Sequence, residues 1–372
     1  MSEVKGTNFI IGTRPEATKG WLVVRALAQN AEDEVEILFS GQHRELLVET
    51  VNDLSPIDGH APRWVDQSPR LEDWRSTFPK AIQRLWRASR PRRICVVGDT
   101  DTVRISSEIA HEMEIPIVHI EAGIRHHGVA ADLEPEERNR RIVSGLAALH
   151  LAPTQSAIDN LLLENVQRSA IRYCGDLSYC SIAAAFGGYV ERLIRQDDRT
   201  ALPPYQPFVL CTFHRSTSLT FQASLEERFI EVARKFSHLH FVVVSRPDTR
   251  WASFYKRVSE TPNITVSKAM PPSIFLAYLL QAQIVLTDSA GVQQEALILG
   301  KPVLACRANV ELYADDALLR VVPPPFDRLL ENMNQALDES LNTGNTEPLI
   351  SSVRIEGERI AREAARMISG IR

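Results

Sequence analysis

The chain has 372 residues, which is too long for one hydrophobic core of ordinary size, so its length predicts two domains. Apolar residues make up 44% of it and charged residues 24%, as in typical soluble globular proteins. The net charge of -5, without a basic tail, argues against a nucleic-acid partner. No apolar run approaches the roughly 20 residues that span a membrane.

The cysteines and the start of the chain indicate where the protein works. The five cysteines are scattered, and none lies at the spacing of a metal-ligand set. No cationic segment followed by a long apolar stretch opens the chain, so we expect no secretory signal. We therefore expect reduced thiols, a cytoplasmic location, and neither a metal nor an organic cofactor.

Short apolar runs alternate with amphipathic segments along the chain. The strand-like runs are NFIIG, VEILFS, RRICVVGD, IPIVHIEA, LHLAPT, FVLCTFH, HFVVVS, QIVLTDS and PVLACR. Helical patterns lie between them, for example over residues 74 to 88, 103 to 113 and 154 to 165. Strands that are apolar throughout and alternate with helices predict an α/β fold, with parallel sheets covered on both faces.

The break between the two domains is expected either in the linker-like stretch LPPYQPF that follows Ala201 or earlier, near Gly175, and we favour the earlier position. The segment from 178 to 196 has a helical pattern suited to bridging two domains, and the last segment is charged and amphipathic. We therefore predict an N-terminal domain over residues 1–174 and a C-terminal domain over 175–352. A terminal helix over 353–372 is expected to return to the first domain.

Ligands bind parallel α/β sheets at the carboxyl ends of the strands, which directs attention to the turn after the first apolar run. There GTRPEATK places Arg14 and Lys19 around a helix that begins near Pro15. A helix N-terminus with two cations is suited to phosphate. The alternative is an ordinary loop in which Arg14 and Glu16 pair with each other.

Three acids follow later strands or open a helix in the same half of the chain. Asp99 ends a very apolar strand and either caps the next helix or enters the ligand site. Glu121 follows PIVHI, where Arg125 is a candidate partner. Glu136, within EPEERNRR, belongs either to a solvated helix start or to a set of carboxylates aimed at a neighbouring site.

The second half of the chain carries two further strand ends. His214 follows the run FVLCTF beside Arg215 and is either structural or part of a ligand site. A helix opens after Asp288, and its first amide groups are suited to a phosphate. Glu295, one turn further on, is placed to accept hydrogen bonds from ribose hydroxyls. The small residues at the helix start are Ser289, Ala290 and Gly291.

These motifs occur in the same order in a known enzyme family. They are GTRPEATK, GQHRELL, GDTDT, HIEAGIR, PEERNR, APT, HR after a strand, and TDSAGVQQEA followed by LGKPVL. From residue 8 to about residue 311, the chain resembles the non-hydrolysing UDP-N-acetylglucosamine 2-epimerases. The resemblance implies the GT-B fold, in which two Rossmann-like domains with parallel sheets face each other across a deep cleft.

The reaction that this resemblance implies interconverts UDP-N-acetylglucosamine and UDP-N-acetylmannosamine. UDP leaves carbon 1 and a proton leaves carbon 2, which gives a glycal, and both then add back with the opposite configuration at carbon 2. The implied catalytic residues are Asp99, Glu121, Glu136 and His214. The implied substrate-binding residues are Arg14, Lys19, Arg140, Arg215, Phe275, Ser289, Ala290, Gly291 and Glu295.

The resemblance also carries expectations about partners and regulation. It implies a UDP-sugar as substrate, a homodimer, and a place in polysaccharide biosynthesis. It further implies an activator site at Gln42 and His43, where a second substrate molecule lies beside the first.

The chain departs from the family's motifs mainly in its second half. HRxEN reads HRSTS from His214, SGG has Ala290 in the middle, and GNT is Gly175-Asp176-Leu177. A hydrolysing relative that releases N-acetylmannosamine and UDP therefore stays open, as does an epimerase for another nucleotide sugar or another carbon. From other classes, the alternatives are a GT-B glycosyltransferase and a non-catalytic sensor of sugar nucleotides.

Overall fold

The chain divides into two compact units. The computed structural model describes residues 5–29, 34–66, 68, 71–126, 135–195, 206–214, 217–246, 248–308, 310, 312–313, 315–340 and 347–371. The first unit is formed by Met1–Gly188 together with Arg354–Arg372, and the second by Tyr189–Val353. Within the described residues, no helix combines the length and the apolar character needed to cross a membrane.

The first unit is built on a parallel sheet. Its strands are β1 (Lys5–Ile11), β2 (Val35–Phe39), β3 (Arg63–Trp64), β4 (Pro91–Val97), β5 (Ile117–Ile120), β6 (Leu149–Ala152) and β7 (Ile171–Tyr173). Its helices are α1 (Arg14–Ala28), α2 (Arg44–Asp53), α3 (Leu71–Ala88), α4 (Asp101–Glu112), α5 (Pro135–Leu146), α6 (Gln155–Leu163) and the first part of α7 (Ser178–Arg195). The strand order is β3-β2-β1-β4-β5-β6-β7, and every pairing is parallel.

The second unit has a similar but smaller sheet. Its strands are β8 (Phe208–Thr212), β9 (His240–Val244), β10 (Ile264–Ser267), β11 (Ile284–Thr287), β12 (Val303–Ala305) and β13 (Leu319–Val321). Its helices are α8 (Gln222–Lys235), α9 (Ala252–Val258), α10 (Pro272–Gln281), α11 (Ala290–Ile298) and α12 (Leu329–Ser340). The order is β10-β9-β8-β11-β12-β13, again with parallel pairs only. The predicted α/β fold with parallel sheets is therefore confirmed.

Both faces of the first sheet are covered by helices. Successive side chains of a strand point to opposite faces, so those of β1 divide between two apolar clusters. Phe9 and Ile11 of β1 pack against Trp21 of α1 in one apolar cluster. Ile10, between them, belongs to the opposite cluster with Trp74 of α3. A strand covered on both sides needs apolar residues at every position, which is the pattern that the sequence shows.

The last helix, α13 (Glu347–Ser369), belongs mostly to the first unit. Its Ile360 packs in the same cluster as Cys180 of α7, which places the first turns of α7 in this unit. The boundary between the units consequently lies after residue 188, and not near Gly175. Arg93 of β4 is fully buried and donates to the backbone carbonyl of Ile371, so it ties the chain end to the sheet.

The turn from β1 into α1 is organised by Glu16. Its carboxylate accepts hydrogen bonds from the backbone N–H groups of Gly12 at 2.5 Å and Thr13 at 3.2 Å, and from the Thr100 hydroxyl at 2.5 Å. A Cβ atom at Gly12 would lie 2.0 Å from the Thr102 hydroxyl oxygen, so this turn requires glycine. The two amide groups directly before α1 are therefore bonded by a side chain from the first turn of that helix.

Stability should depend on pH through Glu16, because burial raises the pKa of this carboxyl from 4.5 to about 7. Between those values the folded state holds the proton more tightly than the unfolded chain, so the free energy of unfolding falls as the pH rises. Glu16→Gln cannot ionise, and its stability relative to wild type should increase by about 3 kcal/mol across this range.

Urea unfolding of both proteins at several pH values measures this difference. Glu45→Gln removes a carboxylate from the exposed first turn of α2 and serves as the matched control. A stability difference between Glu16→Gln and wild type that stays constant with pH would show that Glu16 does not titrate in this range.

Candidate active site

Charged side chains gather at the carboxyl ends of the strands in the first unit. Asp99 follows β4, Glu121 follows β5 and Asp176 follows β7, while Lys19 comes from α1. Lys19 interacts electrostatically with all three carboxylates. One buried cation and three acids thus share the edge where ligands bind in parallel sheets.

Glu121 is held in an unusual backbone conformation. Its φ of 67° lies in the left-handed region, which residues other than glycine rarely adopt. Its carboxylate forms a short ion pair with the ammonium group of Lys19, and only 9% and 12% of the two side chains are exposed. Backbone strain of this kind concentrates at functional sites, so Glu121 is a strong candidate for a role in chemistry.

Glu121 pairs with Lys19, and not with Arg125, the candidate partner from the sequence. Arg125 donates to both oxygens of Glu164, each at 2.6 Å, and also to the Ser144 hydroxyl. Arg125 therefore pairs with Glu164, the residue that follows α6, and Glu121 pairs with Lys19. Side-chain partners this far apart along the chain are brought together only by the sheet.

Burial and charge act against each other in the ion pair between Lys19 and Glu121. Burial raises the pKa of the Glu121 carboxyl and Lys19 lowers it, but Asp176 and Asp99 add to the rise, so this pKa is raised. Burial alone would lower the pKa of Lys19, and the surrounding carboxylates outweigh it, so this pKa is also raised. The site therefore favours positive charge on Lys19 and disfavours ionisation of Glu121.

Asp99 forms an ion pair with Arg140 and does not cap α4. Nε and Nη2 of Arg140 lie 2.7 Å and 2.6 Å from Oδ2 of Asp99, whose side chain is 23% exposed. The cap of α4 is Thr100, whose hydroxyl accepts from the backbone N–H of Val103. Of the two interpretations of Asp99, the structure therefore favours a polar group at the ligand edge.

Two neighbouring acids open α5, and they have opposite environments. Glu136 is exposed, whereas the side chain of Glu137 is only 1% exposed. Glu137 accepts from the backbone N–H of His126 at 3.0 Å and from Nε of Arg141 at 2.9 Å. Glu136, and not Glu137, is the residue predicted from the sequence, although the spacing of Glu137 from Arg140 and Arg141 matches ion pairs on one helix face.

Arg14 is bonded to two residues of α2. Its Nε donates to the Thr50 hydroxyl at 3.0 Å, and its Nη2 to Glu49 at 3.1 Å. The proposed pair between Arg14 and Glu16 is wrong, because Glu16 accepts from Thr100 and from backbone amides.

Gln42 and His43 lie beside the same turn. The side-chain oxygen of Gln42 accepts from the backbone N–H of Thr102 at 3.1 Å and from its hydroxyl at 2.7 Å, so it helps to cap α4. His43 is exposed at the start of α2, and its backbone N–H donates to the carbonyl oxygen of Gly12. Both residues thus adjoin the first turn of the sheet.

In the second unit, His214 and Asp288 follow adjacent strands. The backbone N–H of His214 donates to both oxygens of Asp288, at 3.1 Å and 3.0 Å. Nδ1 of the imidazole lies 3.7 Å from the same carboxylate, which is fully buried. Asp288 thereby fixes the backbone at His214 and lies beside its ring. Arg215 lies outside the described residues.

The start of α11 is partly accessible. Ser289 is its N-cap residue and makes no side-chain cap bond, and Ala290 and Gly291 are half-buried. A Cβ atom at Gly291 would meet nothing within 4 Å, so there is open space next to the first turn. Glu295 and Phe275, on α11 and α10, are both half-buried. Such a helix start is suited to an anion.

Two groups of this site were absent from the sequence-based set, Glu137 and Asp176. Asp176 is buried and accepts from the backbone N–H of Ser178 at 2.8 Å. Nothing local in Gly175-Asp176-Leu177 marks it as a neighbour of Lys19, because that contact depends on how the strands are ordered. In the part of the chain that the structure describes, no group of His, Cys, Asp and Glu is arranged to hold a metal ion.

Comparisons with known proteins identify the family. Residues 25–350 match the family model described as UDP-N-acetylglucosamine 2-epimerase. A UDP-N-acetylglucosamine 2-epimerase of Salmonella borreze is 30% identical over 315 residues, which cover 82% of each chain.

Solved structures show the same fold. The UDP-GlcNAc 2-epimerase of Neisseria meningitidis bound to UDP-GlcNAc has a TM-score of 0.81 and 23% identity, covering 97% of this chain and 98% of its own. The glycosyltransferase WaaG has a TM-score of 0.53 at 13% identity, covering 97% and 95%. The fold is therefore of the GT-B type. The family model, which matches residues 25–350, identifies the family within that fold. The chain belongs to the UDP-N-acetylglucosamine 2-epimerase family.

Proposed function

We propose that the protein epimerises carbon 2 of a UDP-N-acetylhexosamine and interconverts UDP-N-acetylglucosamine and UDP-N-acetylmannosamine. UDP leaves carbon 1 and a proton leaves carbon 2, which gives a glycal. UDP and a proton then add back, and the proton adds to the opposite face of carbon 2. The observation that carries the proposal is the buried ion pair between Lys19 and Glu121 on a strained turn, next to Asp99. Family membership supplies the reaction class.

Changing the configuration at carbon 2 requires one group to remove a proton and another to return one on the opposite face. Glu121 is suited to proton transfer because burial raises its pKa towards the pH at which enzymes work. Asp99, held by Arg140, and Glu136, exposed at the start of α5, are the further carboxylates of this set. We assign proton transfer to these three acids.

Departure of UDP requires groups that stabilise the charge growing on the diphosphate. The start of α11 offers amide groups and the positive end of a helix dipole, and His214 adds a donor from the adjacent strand end. Glu295 is proposed to bind the ribose, Phe275 the base, and Arg14, Lys19, Arg140 and Arg215 other polar parts of the substrate.

Three finer assignments remain; the activator site and the homodimer rest on the resemblance to the epimerases, and the location rests on the cysteine pattern. Gln42 and His43 are proposed to form an activator site, and their place beside the turn after β1 supports this. We also propose a homodimer, to be tested by light scattering of the purified protein, and a cytoplasmic location.

The first test is solvent exchange. In deuterated water, the protein should place deuterium on carbon 2 of UDP-N-acetylglucosamine and produce UDP-N-acetylmannosamine, because the proton is lost and replaced during each turnover. Proton NMR of a panel of nucleotide sugars follows exchange, epimerisation and hydrolysis together. Accumulation of free N-acetylmannosamine with UDP would instead establish the hydrolysing reaction, and binding without exchange would establish a sensor.

Glu121→Gln should reduce exchange at carbon 2 by at least about a hundredfold, since it keeps the size of the side chain but removes its capacity for proton transfer. Circular dichroism checks that the variant is folded. Asp159→Asn, on the exposed face of α6, is the matched control and should retain wild-type exchange. Full activity of folded Glu121→Gln would remove Glu121 from the chemistry.

His214→Ala should lower kcat/KM for epimerisation by about a hundredfold or more, because a donor to the leaving diphosphate is lost. The fold should persist, since Asp288 is bonded to the backbone at position 214 and not only to the ring. His238→Ala, an exposed change in the same unit, is the control. Equal kinetics in His214→Ala and His238→Ala would refute the role given to His214.

A further inference from the structure

Glu137 is a buried carboxylate that none of the roles proposed above uses. Three arginines surround it: Nε of Arg141 at 2.9 Å, Nη1 of Arg140 at 3.5 Å and Nε of Arg125 at 3.8 Å. It also accepts from the backbone N–H of His126 at 3.0 Å. Arg141 and the backbone of His126 lie within hydrogen-bond distance of Glu137, and Arg140 and Arg125 lie within ion-pair distance of it.

The contact with Arg140 leads directly to a candidate catalytic acid. The guanidinium of Arg140 lies between two carboxylates, with Nη1 towards Glu137 and with Nε and Nη2 towards Oδ2 of Asp99. Asn139, the preceding residue of α5, donates to the backbone carbonyl of Asp99 at 2.9 Å. Two residues of α5, Asn139 and Arg140, thus orient Asp99. Glu137 lies on the same helix and contacts Arg140.

The contact with His126 fixes a second part of the site. His126 precedes the segment 127–134, and Glu137 follows it, so their hydrogen bond joins the two flanks of that segment. Glu136 is the direct neighbour of Glu137 in the first turn of α5. The same buried acid therefore constrains the backbone from which Glu136 projects.

We propose that Glu137 is a positioning residue for the acid–base chemistry, which acts on Asp99 through Arg140 and on Glu136 through the start of α5. This inference rests on the function proposed above. Glu137 does not contact the reacting atoms in this proposal. Its role is to keep two of the three carboxylates in the geometry that proton transfer requires.

A purely structural role for Glu137 makes a different prediction. A carboxylate near a helix N-terminus stabilises the helix through its dipole, and its removal would then lower stability without a specific loss of turnover. Both roles predict a lower melting temperature for Glu137→Gln. Only positioning predicts that its effect on turnover depends on Arg140.

A double-mutant cycle tests this dependence, with Glu137→Gln, Arg140→Met and the double variant compared with wild type. We expect Glu137→Gln to lower kcat by about tenfold or more with KM changed less than about twofold, because alignment rather than binding is lost. Glu137→Gln should slow Arg140→Met by a smaller factor than it slows wild type, since the part of its effect that passes through Arg140 is already lost. Multiplied effects, or an unchanged kcat in folded Glu137→Gln, would overturn the proposal.

Glu164→Gln is the matched control. Glu164 is also a partner of Arg125, at 2.6 Å, but among the residues that the structure describes it has no direct contact with Arg140 or Asp99. We expect Glu164→Gln to lose stability and to keep kcat within about twofold of wild type.

Should Glu137→Gln not fold, Glu137→Asp keeps the charge and withdraws the carboxylate by one methylene. A wild-type kcat in Glu137→Asp would equally count against positioning.

A structural readout separates this proposal from the proposed reaction. In a crystal structure of Glu137→Gln, the contact between Arg140 and Asp99 should be broken or rearranged. That result is independent of which sugar nucleotide is turned over. Absence of exchange in wild type would refute the proposed function alone, whereas an unchanged contact between Arg140 and Asp99 in the variant would refute the positioning role alone.

Discussion

The buried ion pair between Lys19 and Glu121 is the interaction on which the site of the first unit depends. Taking two charges out of water is unfavourable, and their attraction offsets this only with good geometry and further polar partners. Here the pair is nearly closed to solvent, lies on a strained turn, and has two more carboxylates close by. Strained backbone and pKa values shifted by burial concentrate at functional sites, which supports a role in chemistry for this ion pair.

The two units supply different chemistry. The first carries the charged groups, in which arginines of α5 and a lysine of α1 hold carboxylates in fixed positions. The second offers the open start of α11 and the imidazole of His214, set beside a fully buried aspartate. Proton transfer needs pKa values moved by burial and neighbours, whereas an anion needs donors that are already oriented. Parallel sheets present both kinds of group at the carboxyl ends of their strands.

Much of the site could be located from the sequence, but its pairings could not. Asp99 and Glu121 were selected because they follow apolar strands, and Lys19 because it is a cation in the helix after the first strand; the three interact electrostatically. The partners proposed for Glu121 and Glu16 were wrong, since Arg125 is bonded to Glu164 and Glu16 to the amides of its own turn. Motif order and apolar runs report where the chain reaches the sheet edge. They do not report which side chains arrive there together.

The sequence by itself determined the α/β alternation, the parallel sheets and the strand ends that carry polar groups, because these follow from local hydrophobic pattern and turn chemistry. Tertiary structure alone decided that Glu137 is buried and Glu136 exposed, and that Asp176 adjoins Lys19. Successive helical residues point about 100° apart, so neighbours in sequence face different surroundings. The order of the strands then determines which distant residues make up those surroundings.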